Sequence, residues 1–488
     1  MSERAIELPL AMRGAATVSL PIDPGPWIAG FVVFALMLFL PQILDDGDTY
    51  WQVRTGLWIM EHGEIPHVDP FSFTAGDRHW FPHEWLAETL MGLFYRVGGM
   101  RGVMVLAATT TGLTAAILFH GFRRFVPGAC AAILLSVALS NSMLSLLARP
   151  HLLAWPCLTL WVAGLVTARA RREAPSFWLL PAMVLWVNLH GSFILGLLLP
   201  GAFMIEALFD PGARPRQVFV SWSAFMLASV FAAMVNPEGP GGLLFPFQLL
   251  GMSNLASIGE WRAIDFSHAQ PMELLVAAGL VFGFSPGFAG KVRIPPMRLL
   301  MLMGLIHGAL AHGRHGQLLG LIGTLILAEP IGAAIAPVAS ARLPRWLAPA
   351  CAILVAAALT VRVAWPLDPD HSGEAFAAVL DRVPAATRAR NVLNDYSYGG
   401  ALIFHGVRPY VDSRADLYGD VFLDAYWKAT QTERGLLEQA LRDHAIGWTI
   451  FPATHGIVRM LDTEPGWRRL TQAGKVVIHV REGLERQD

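Results

Sequence analysis

The sequence predicts an α-helical polytopic membrane protein with a small α/β domain at its C-terminal end. Of its 488 residues, 54% are hydrophobic and only 15% are charged, a composition that excludes an ordinary soluble enzyme. Apolar segments recur at a length sufficient, or nearly so, to cross a hydrocarbon core of about 30 Å. From Trp365 onward the charged residues become frequent and these segments stop.

About eleven apolar segments are predicted to cross the membrane. They lie near residues 26–43, 101–120, 128–147, 151–168, 176–190, 192–209, 218–235, 271–286, 297–311, 315–334 and 346–364. The sequence therefore divides into a transmembrane domain over residues 1–364 and a soluble domain over residues 365–488.

Basic residues recur in every second loop, which by the positive-inside rule places the N-terminus in the cytoplasm. These residues are Arg4, Arg13, Arg123, Arg124, Arg169, Arg171, Arg172, Arg214, Arg216, Lys291, Arg293, Arg342 and Arg345. The same rule places the loop 44–100 and the C-terminal domain outside the cytoplasm. The formal net charge of −1 argues against a nucleic-acid partner.

The first outer loop, residues 44–100, begins with the carboxylates Asp45, Asp46 and Asp48. Asp48 is predicted to cap a helix that runs to His62. The expected apolar face of this helix consists of Tyr50, Val53, Leu57 and Met60, and the helix also carries Trp51 and Trp58. A second amphipathic helix follows Glu84 and ends at Gly98-Gly99. Because both helices carry tryptophan beside a membrane span, they are predicted to lie in the membrane interface.

Two interpretations of the three carboxylates are open at this stage. Carboxylates at a membrane boundary are costly to desolvate, which favours a function. Alternatively, they mark the exit of the first span, with Asp48 serving only as a helix cap.

Further polar residues lie in the other turns predicted on the outer face. They are Arg149, His190, Glu260, Arg262, Arg314 and His315. Any one of them is explained by a side chain reaching the membrane interface. Together they predict an outer cavity with acids in one wall and arginine or histidine in another.

Such a cavity suits a lipid-linked phosphate. Arginine and protonated histidine would bind the phosphate, and a carboxylate would act as general base toward an acceptor hydroxyl or amine. Asp46 and Asp48 could instead bind Mg²⁺ or Mn²⁺, which prefer oxygen ligands. Nucleotide-sugar donors fit poorly, because the chain has no glycine-rich nucleotide loop.

Two motifs of the first loop carry a family resemblance. They run from Asp48-Thr49-Tyr50-Trp51 through Ile65-Pro66 to Asp69-Pro70-Phe71-Ser72, and over His83-Glu84-Trp85-Leu86. With the predicted architecture, they resemble the GT-C superfamily of membrane glycosyltransferases, which use polyprenyl-phosphate-linked sugar donors and include the oligosaccharyltransferase catalytic subunits and protein mannosyltransferases. The resemblance implies Asp48 as catalytic base or metal ligand, then Asp46 or Asp45, with Glu84 as a candidate second acid.

The C-terminal domain carries a second resemblance. Leu393-Asn394-Asp395-Tyr396-Ser397-Tyr398-Gly399-Gly400 and Val411-Asp412-Ser413-Arg414 are similar to the Trp-Trp-Asp-Tyr-Gly region of oligosaccharyltransferase catalytic subunits. This implies acceptor binding by Asp395 and Tyr396, although Leu393-Asn394 replaces the two tryptophans. The alternative is that Asp395 is a helix cap and Asp416 a turn residue.

Local patterns in the same domain predict helices at 373–382, 420–429 and 433–444. They also predict strands at 391–393, 401–404, 447–451 and 476–480.

The leading hypothesis is a glycosyltransferase of the bacterial inner membrane that transfers a sugar from a polyprenyl-phosphate donor to an outer glycan, lipid or protein. One alternative is a non-catalytic scaffold of the same fold in a cell-envelope glycan assembly system. A transporter of lipid-linked sugars ranks last, because no internal repeat is visible.

Overall fold

A helical bundle followed by a small sheet makes up the protein. The computed structural model describes residues 23–253, 261–267, 270, 272–273, 291–335, 346–368, 373–431 and 433–482. The span predicted at 271–286 lies outside these residues, apart from Met272 and Glu273.

The helices of the bundle agree with the other predicted spans to within a few residues at most ends. They are α1 (Gly25–Leu38), α2 (Gly47–His62), α3 (Trp85–Arg123), α4 (Gly128–Asn141), α5 (Pro150–Ala170), α6 (Leu180–Leu189), α7 (Phe193–Leu208), α8 (Pro215–Ala233), α9 (Pro240–Leu250), α10 (Pro296–Ala311), α11 (Gly313–Ala334) and α12 (Leu347–Ala364). The helix α9 was not predicted.

Four of the described helices, α3, α5, α8 and α11, are long and apolar enough to cross a membrane, and six further apolar helices are shorter. A polytopic membrane protein is therefore confirmed, while the number of spans stays a prediction.

The helix α3 joins two elements that the sequence predicted separately. It runs from Trp85 to Arg123. It therefore includes both the second helix predicted for the loop and the span predicted at 101–120. The break expected at Gly98-Gly99 is present as a kink, because Gly99 has φ 59° and ψ −151°, a conformation that favours glycine. The first outer loop is thus coupled directly to the bundle.

The C-terminal segment contains a four-stranded sheet of order β1-β2-β4-β3. Its strands are β1 (Val392–Asn394), β2 (Trp448–Pro452), β3 (Trp467–Ala473) and β4 (Val476–Arg481). The β1–β2 pair is parallel, and the other two pairs are antiparallel. The helices around it are α13 (Glu374–Leu380), α14 (Ala385–Arg388), α15 (Gly399–Phe404), α16 (Ala415–Gln431), α17 (Arg434–Asp443) and α18 (Gly456–Leu461).

The strand predicted at 401–404 is wrong. Residues Gly399–Phe404 form α15, which packs against α2 and also buries Leu402 among residues of the sheet. The strand β3 was missed, because Trp467–Ala473 is polar and only partly buried.

The helix α2 lies between the bundle and the C-terminal segment. Its contacts with α3 and α15 bury Tyr50, Trp51 and Val53. Trp51 shares one apolar cluster with Trp80 of the loop and with residues beyond 390. The sequence predicted one apolar face for α2, but the first half of this helix is buried on several sides.

Candidate functional site

The N-cap of α2 is Asp46 and not Asp48, which corrects the sequence prediction. The helix begins at Gly47, and an Asp46 carboxylate oxygen accepts a hydrogen bond of 2.9 Å from the Asp48 backbone N–H. Asp48 lies in the first turn of the helix, where its side chain is available for other contacts.

Both carboxylates contact the Arg149 guanidinium, which comes from the turn before α5. Arg149 Nη2 lies 2.8 Å from Asp46 Oδ1, and Arg149 Nε donates to Asp46 Oδ2. Arg149 Nη2 is also 3.1 Å from Asp48 Oδ2. Two-pronged pairing of this kind fixes orientation as well as charge. The acids and the arginine, which were predicted to lie in different walls of the cavity, are thus in direct contact.

The second oxygen of Asp48 connects to the C-terminal segment. Ser413 Oγ donates a hydrogen bond to Asp48 Oδ1, and Trp51 Nε1 lies 3.4 Å from the same oxygen. Tyr396 donates its hydroxyl to the Ser413 backbone carbonyl at 3.1 Å. Ser413 lies in one of the motifs of the C-terminal domain but was not predicted as a site residue. Its partner Asp48 is 365 residues away in the sequence, so no local pattern indicates the contact.

Arg149, Arg262 and Arg314 line one cavity of about 350 Å³. The Arg314 guanidinium lies 4.5 Å from the ring centre of Trp261, a stacking that holds its orientation. The Gly313 backbone N–H donates to the Arg262 carbonyl at 3.1 Å. Three arginines from separate turns therefore line one space large enough for a phosphate group and part of a sugar.

Acidic and neutral groups complete the lining of this cavity, among them Asp265, His151 and Gln317. Asp265 is exposed, and a hydrogen bond from the Ser267 backbone N–H at 2.8 Å holds its pKa below the ordinary value. Arg149 is already paired with Asp46 and Asp48, but Arg262 and Arg314 outnumber Asp265 in the lining, which makes the cavity suited to an anion.

Metal binding by Asp46 and Asp48 stays a prediction, and the geometry does not favour it. Both oxygens of each carboxylate already accept hydrogen bonds or contact Arg149. A divalent ion would have to displace the guanidinium, so these residues do not present Mg²⁺ with a ready set of oxygen ligands.

Glu84 lies in a second polar cluster. Its Oε1 is 3.6 Å from His83 Nε2 and 3.5 Å from His190 Nε2. Burial would raise the pKa of Glu84, but His83 and its other histidine neighbours hold that pKa below its ordinary value. The His190 ring centre is 6.0 Å from that of His151, which lines the arginine cavity. Glu84 is thus linked to the cavity through two histidines.

Asp416 belongs to the same surroundings and was not predicted as a site residue. It lies in the first turn of α16, not in an isolated turn. Burial raises its pKa, while His83 and Arg414 oppose the rise.

Several predicted site residues lie elsewhere. The His315 ring contacts the His312 ring edge-to-face, with 5.1 Å between the ring centres. His315 is not part of the cavity lining. Asp45 is exposed, and Glu260 lies outside the described residues. Asp395 caps the 3₁₀ turn Tyr396–Tyr398 by accepting from the Ser397 N–H at 2.9 Å, as its alternative interpretation expected.

Asn394 takes the place of the second tryptophan of the Trp-Trp-Asp-Tyr-Gly motif. It is fully buried and connects two loops by hydrogen bonds. Its amide donates to the Asp395 and Val411 carbonyls at 2.8 Å each and accepts from the Tyr410 N–H at 2.9 Å. These bonds join the segment at Asp395 to the segment at Tyr410 and Val411, so this asparagine has a structural role.

These features define the chain as a polytopic membrane protein with a polar site beside its helical bundle. Its acid-bearing first loop lies between the bundle and a C-terminal α/β segment. No family model and no curated protein matches the chain. Its structure is similar to the crystal structure of ArnT from Cupriavidus metallidurans bound to undecaprenyl phosphate. The TM-score is 0.50 at 12% identity, covering 94% of this chain and 98% of that one. The GT-C resemblance is thereby confirmed at the level of the fold.

Proposed function

We propose that this protein is a membrane glycosyltransferase that takes a sugar from a polyprenyl-phosphate-linked donor. The observation that carries the proposal is the convergence of Arg149, Arg262 and Arg314 on one cavity, with Arg149 also paired to Asp46 and Asp48. The undecaprenyl phosphate bound by the ArnT neighbour supports this choice of donor.

Each group then has a distinct task. The arginines bind the donor phosphate and stabilise the negative charge that remains on it when the bond between the anomeric carbon and the phosphate oxygen breaks. An acceptor hydroxyl or amine forms the new bond to that carbon, and Asp48 accepts its proton. Asp46 holds Arg149, while Ser413 and Trp51 hold Asp48.

The protein would act in the bacterial inner membrane, with the cavity and the C-terminal segment facing outward. The acceptor would be a glycan, a lipid or a protein of that face. Glu84, which lies near His190, is the second candidate for the general base.

Lipid binding tests the arginine cavity. We expect purified protein to bind undecaprenyl phosphate in native mass spectrometry and to bind undecaprenol much more weakly. Because a hydrogen bond between charged groups contributes about 1.5–3 kcal/mol, Arg262→Gln and Arg314→Gln should each weaken binding about 10-fold or more. The matched control is Arg442→Gln, which changes an exposed arginine of α17. Equal binding of the two lipids would contradict the proposal.

The scaffold alternative is separated from the enzyme by Asp48→Asn, which keeps an oxygen to accept from Ser413. We expect a deletion strain to lose one glycan linkage, and wild-type protein to restore it. The Asp48→Asn variant should accumulate normally but fail to restore it, whereas Asp443→Asn on α17 should succeed. Full restoration by Asp48→Asn would instead favour the non-catalytic scaffold.

A further inference from the structure

Three potential metal ligands lie together outside the arginine cavity. His67 and His79 come from the first loop, and Glu238 comes from the turn between α8 and α9. One ligand atom from each residue lies within 4.8 Å of the other two, and His67 Nδ1 is 3.9 Å from Glu238 Oε1.

Backbone hydrogen bonds hold the two histidines near each other. Val68 and His79 form an isolated antiparallel bridge, and the Trp80 N–H donates to the His67 carbonyl at 3.0 Å. Buried Asp69 closes the loop by accepting from the Phe71 N–H at 3.0 Å. The spacing of the histidines is therefore set by the fold.

The turn that carries Glu238 is fixed independently. The Asn236 side chain accepts from the Glu238 N–H at 2.9 Å and donates to the Gly239 carbonyl at 3.0 Å. Glu238 is only partly exposed, whereas both histidines are exposed. Two separately held chain segments thus present nitrogen and oxygen donors to one point.

We propose that His67, His79 and Glu238 bind one divalent transition-metal ion of the zinc class, with water completing the coordination. Two imidazoles and a carboxylate suit Zn²⁺, in contrast to the oxygen-only pair Asp46 and Asp48. Ligand atoms around tetrahedral zinc lie on the order of 3.3 Å apart. Small rotations of the exposed histidine side chains would close the remaining distance.

The ion would join the first loop to the turn after α8. Phe81, Asn236 and Pro237 are chain neighbours of the ligands, and they line a second small cavity together with His83 and Trp85. His83 contacts Glu84, so the ion would fix the wall beside that carboxylate. Its role is structural, and it does not depend on the proposed transfer reaction.

Zinc binding to the full-length protein tests this site. The protein, free of any polyhistidine tag, is stripped with a chelator and titrated with Zn²⁺ against a chromophoric competitor. We expect one equivalent to bind tightly and to raise the melting temperature, and Co²⁺ to give the absorption of a tetrahedral site. Loss of an outer-shell partner already costs about 10–100-fold in metal affinity. Loss of both histidine ligands in His67→Ala/His79→Ala should therefore weaken binding by at least about 100-fold, and Glu238→Gln should weaken it by about 10-fold or more.

The matched control is His62→Ala, which removes an exposed histidine of α2 and should leave zinc binding unchanged. Comparable zinc affinity in wild type and in the double variant would overturn the proposal. Wild-type binding only at millimolar zinc would overturn it too, and the contacts would then be an ordinary surface arrangement. Because His67 and His79 are exposed and Glu238 is partly exposed, the double variant and Glu238→Gln are both expected to fold.

Discussion

Arg414→Met removes a cation from a buried group that joins the first loop to the C-terminal segment. Arg414 Nη1 is 2.8 Å from Asp69 Oδ1, and its Nη2 is 2.6 Å from Asp412 Oδ2. The three side chains are at most 1% exposed, and Tyr418 donates to Asp412 at 2.8 Å. Methionine matches much of the side-chain length but leaves two carboxylates buried without their cation.

Breaking a buried pair by removing one partner costs about 3–5 kcal/mol. With an unfolding entropy of about 2.1 cal/mol/K per residue, a chain of 488 residues shifts by about 1 °C per kcal/mol, so the melting temperature should fall by about 3–5 °C. The assay is thermal unfolding of detergent-solubilised protein, followed by tryptophan fluorescence. Arg408→Met is the matched control, because exposed Arg408 donates, within the described part of the chain, only to the Ser72 carbonyl at 2.8 Å.

The pH dependence gives a second readout. Burial would raise the pKa of Asp69, but Arg414 and hydrogen bonds from Ser72 and Phe71 hold it below its ordinary value. Its contribution to wild-type stability is therefore present above the unfolded pKa of about 3.9 and is lost as the pH falls through the folded pKa. In Arg414→Met burial dominates, so the destabilisation should shrink between pH 7 and 5. A loss equal to that of Arg408→Met, or one independent of pH, would refute the reasoning.

Two further predictions concern contacts between α2 and the C-terminal segment. Ser413→Ala removes a hydrogen bond to the Asp48 carboxylate, worth about 1.5–3 kcal/mol. Restoration of the glycan linkage should drop about 10-fold while undecaprenyl phosphate binding stays unchanged, and equal loss of both would contradict a role through Asp48. Gly400→Ala places a Cβ 2.1 Å from the Gly47 carbonyl oxygen, so it should destabilise the protein by about 1–3 kcal/mol in thermal unfolding. The control, Gly435→Ala in α17, has nothing within 4 Å of the new Cβ and should be neutral or slightly stabilising.

The sequence alone located most of the bundle and the turns that carry the site. Long apolar segments must be helical in a membrane, and loop charges predict which turns share a side. The cap of α2 was misassigned by two residues, because Asp46 and Asp48 both have side chains that can cap and only the backbone path distinguishes them. A strand is predicted where α15 lies, since a short apolar run does not specify its own secondary structure.

The pairings inside the site were decided by tertiary structure. Arg149 meets Asp46 across 103 residues, and Ser413 meets Asp48 across 365 residues. No local pattern encodes such distances, because they depend on how α2, α5 and the C-terminal segment pack. The sequence determines which side chains are ionisable and can therefore form ion pairs. Which of them touch is set by burial, since a buried carboxylate is tolerated only where a partner reaches it.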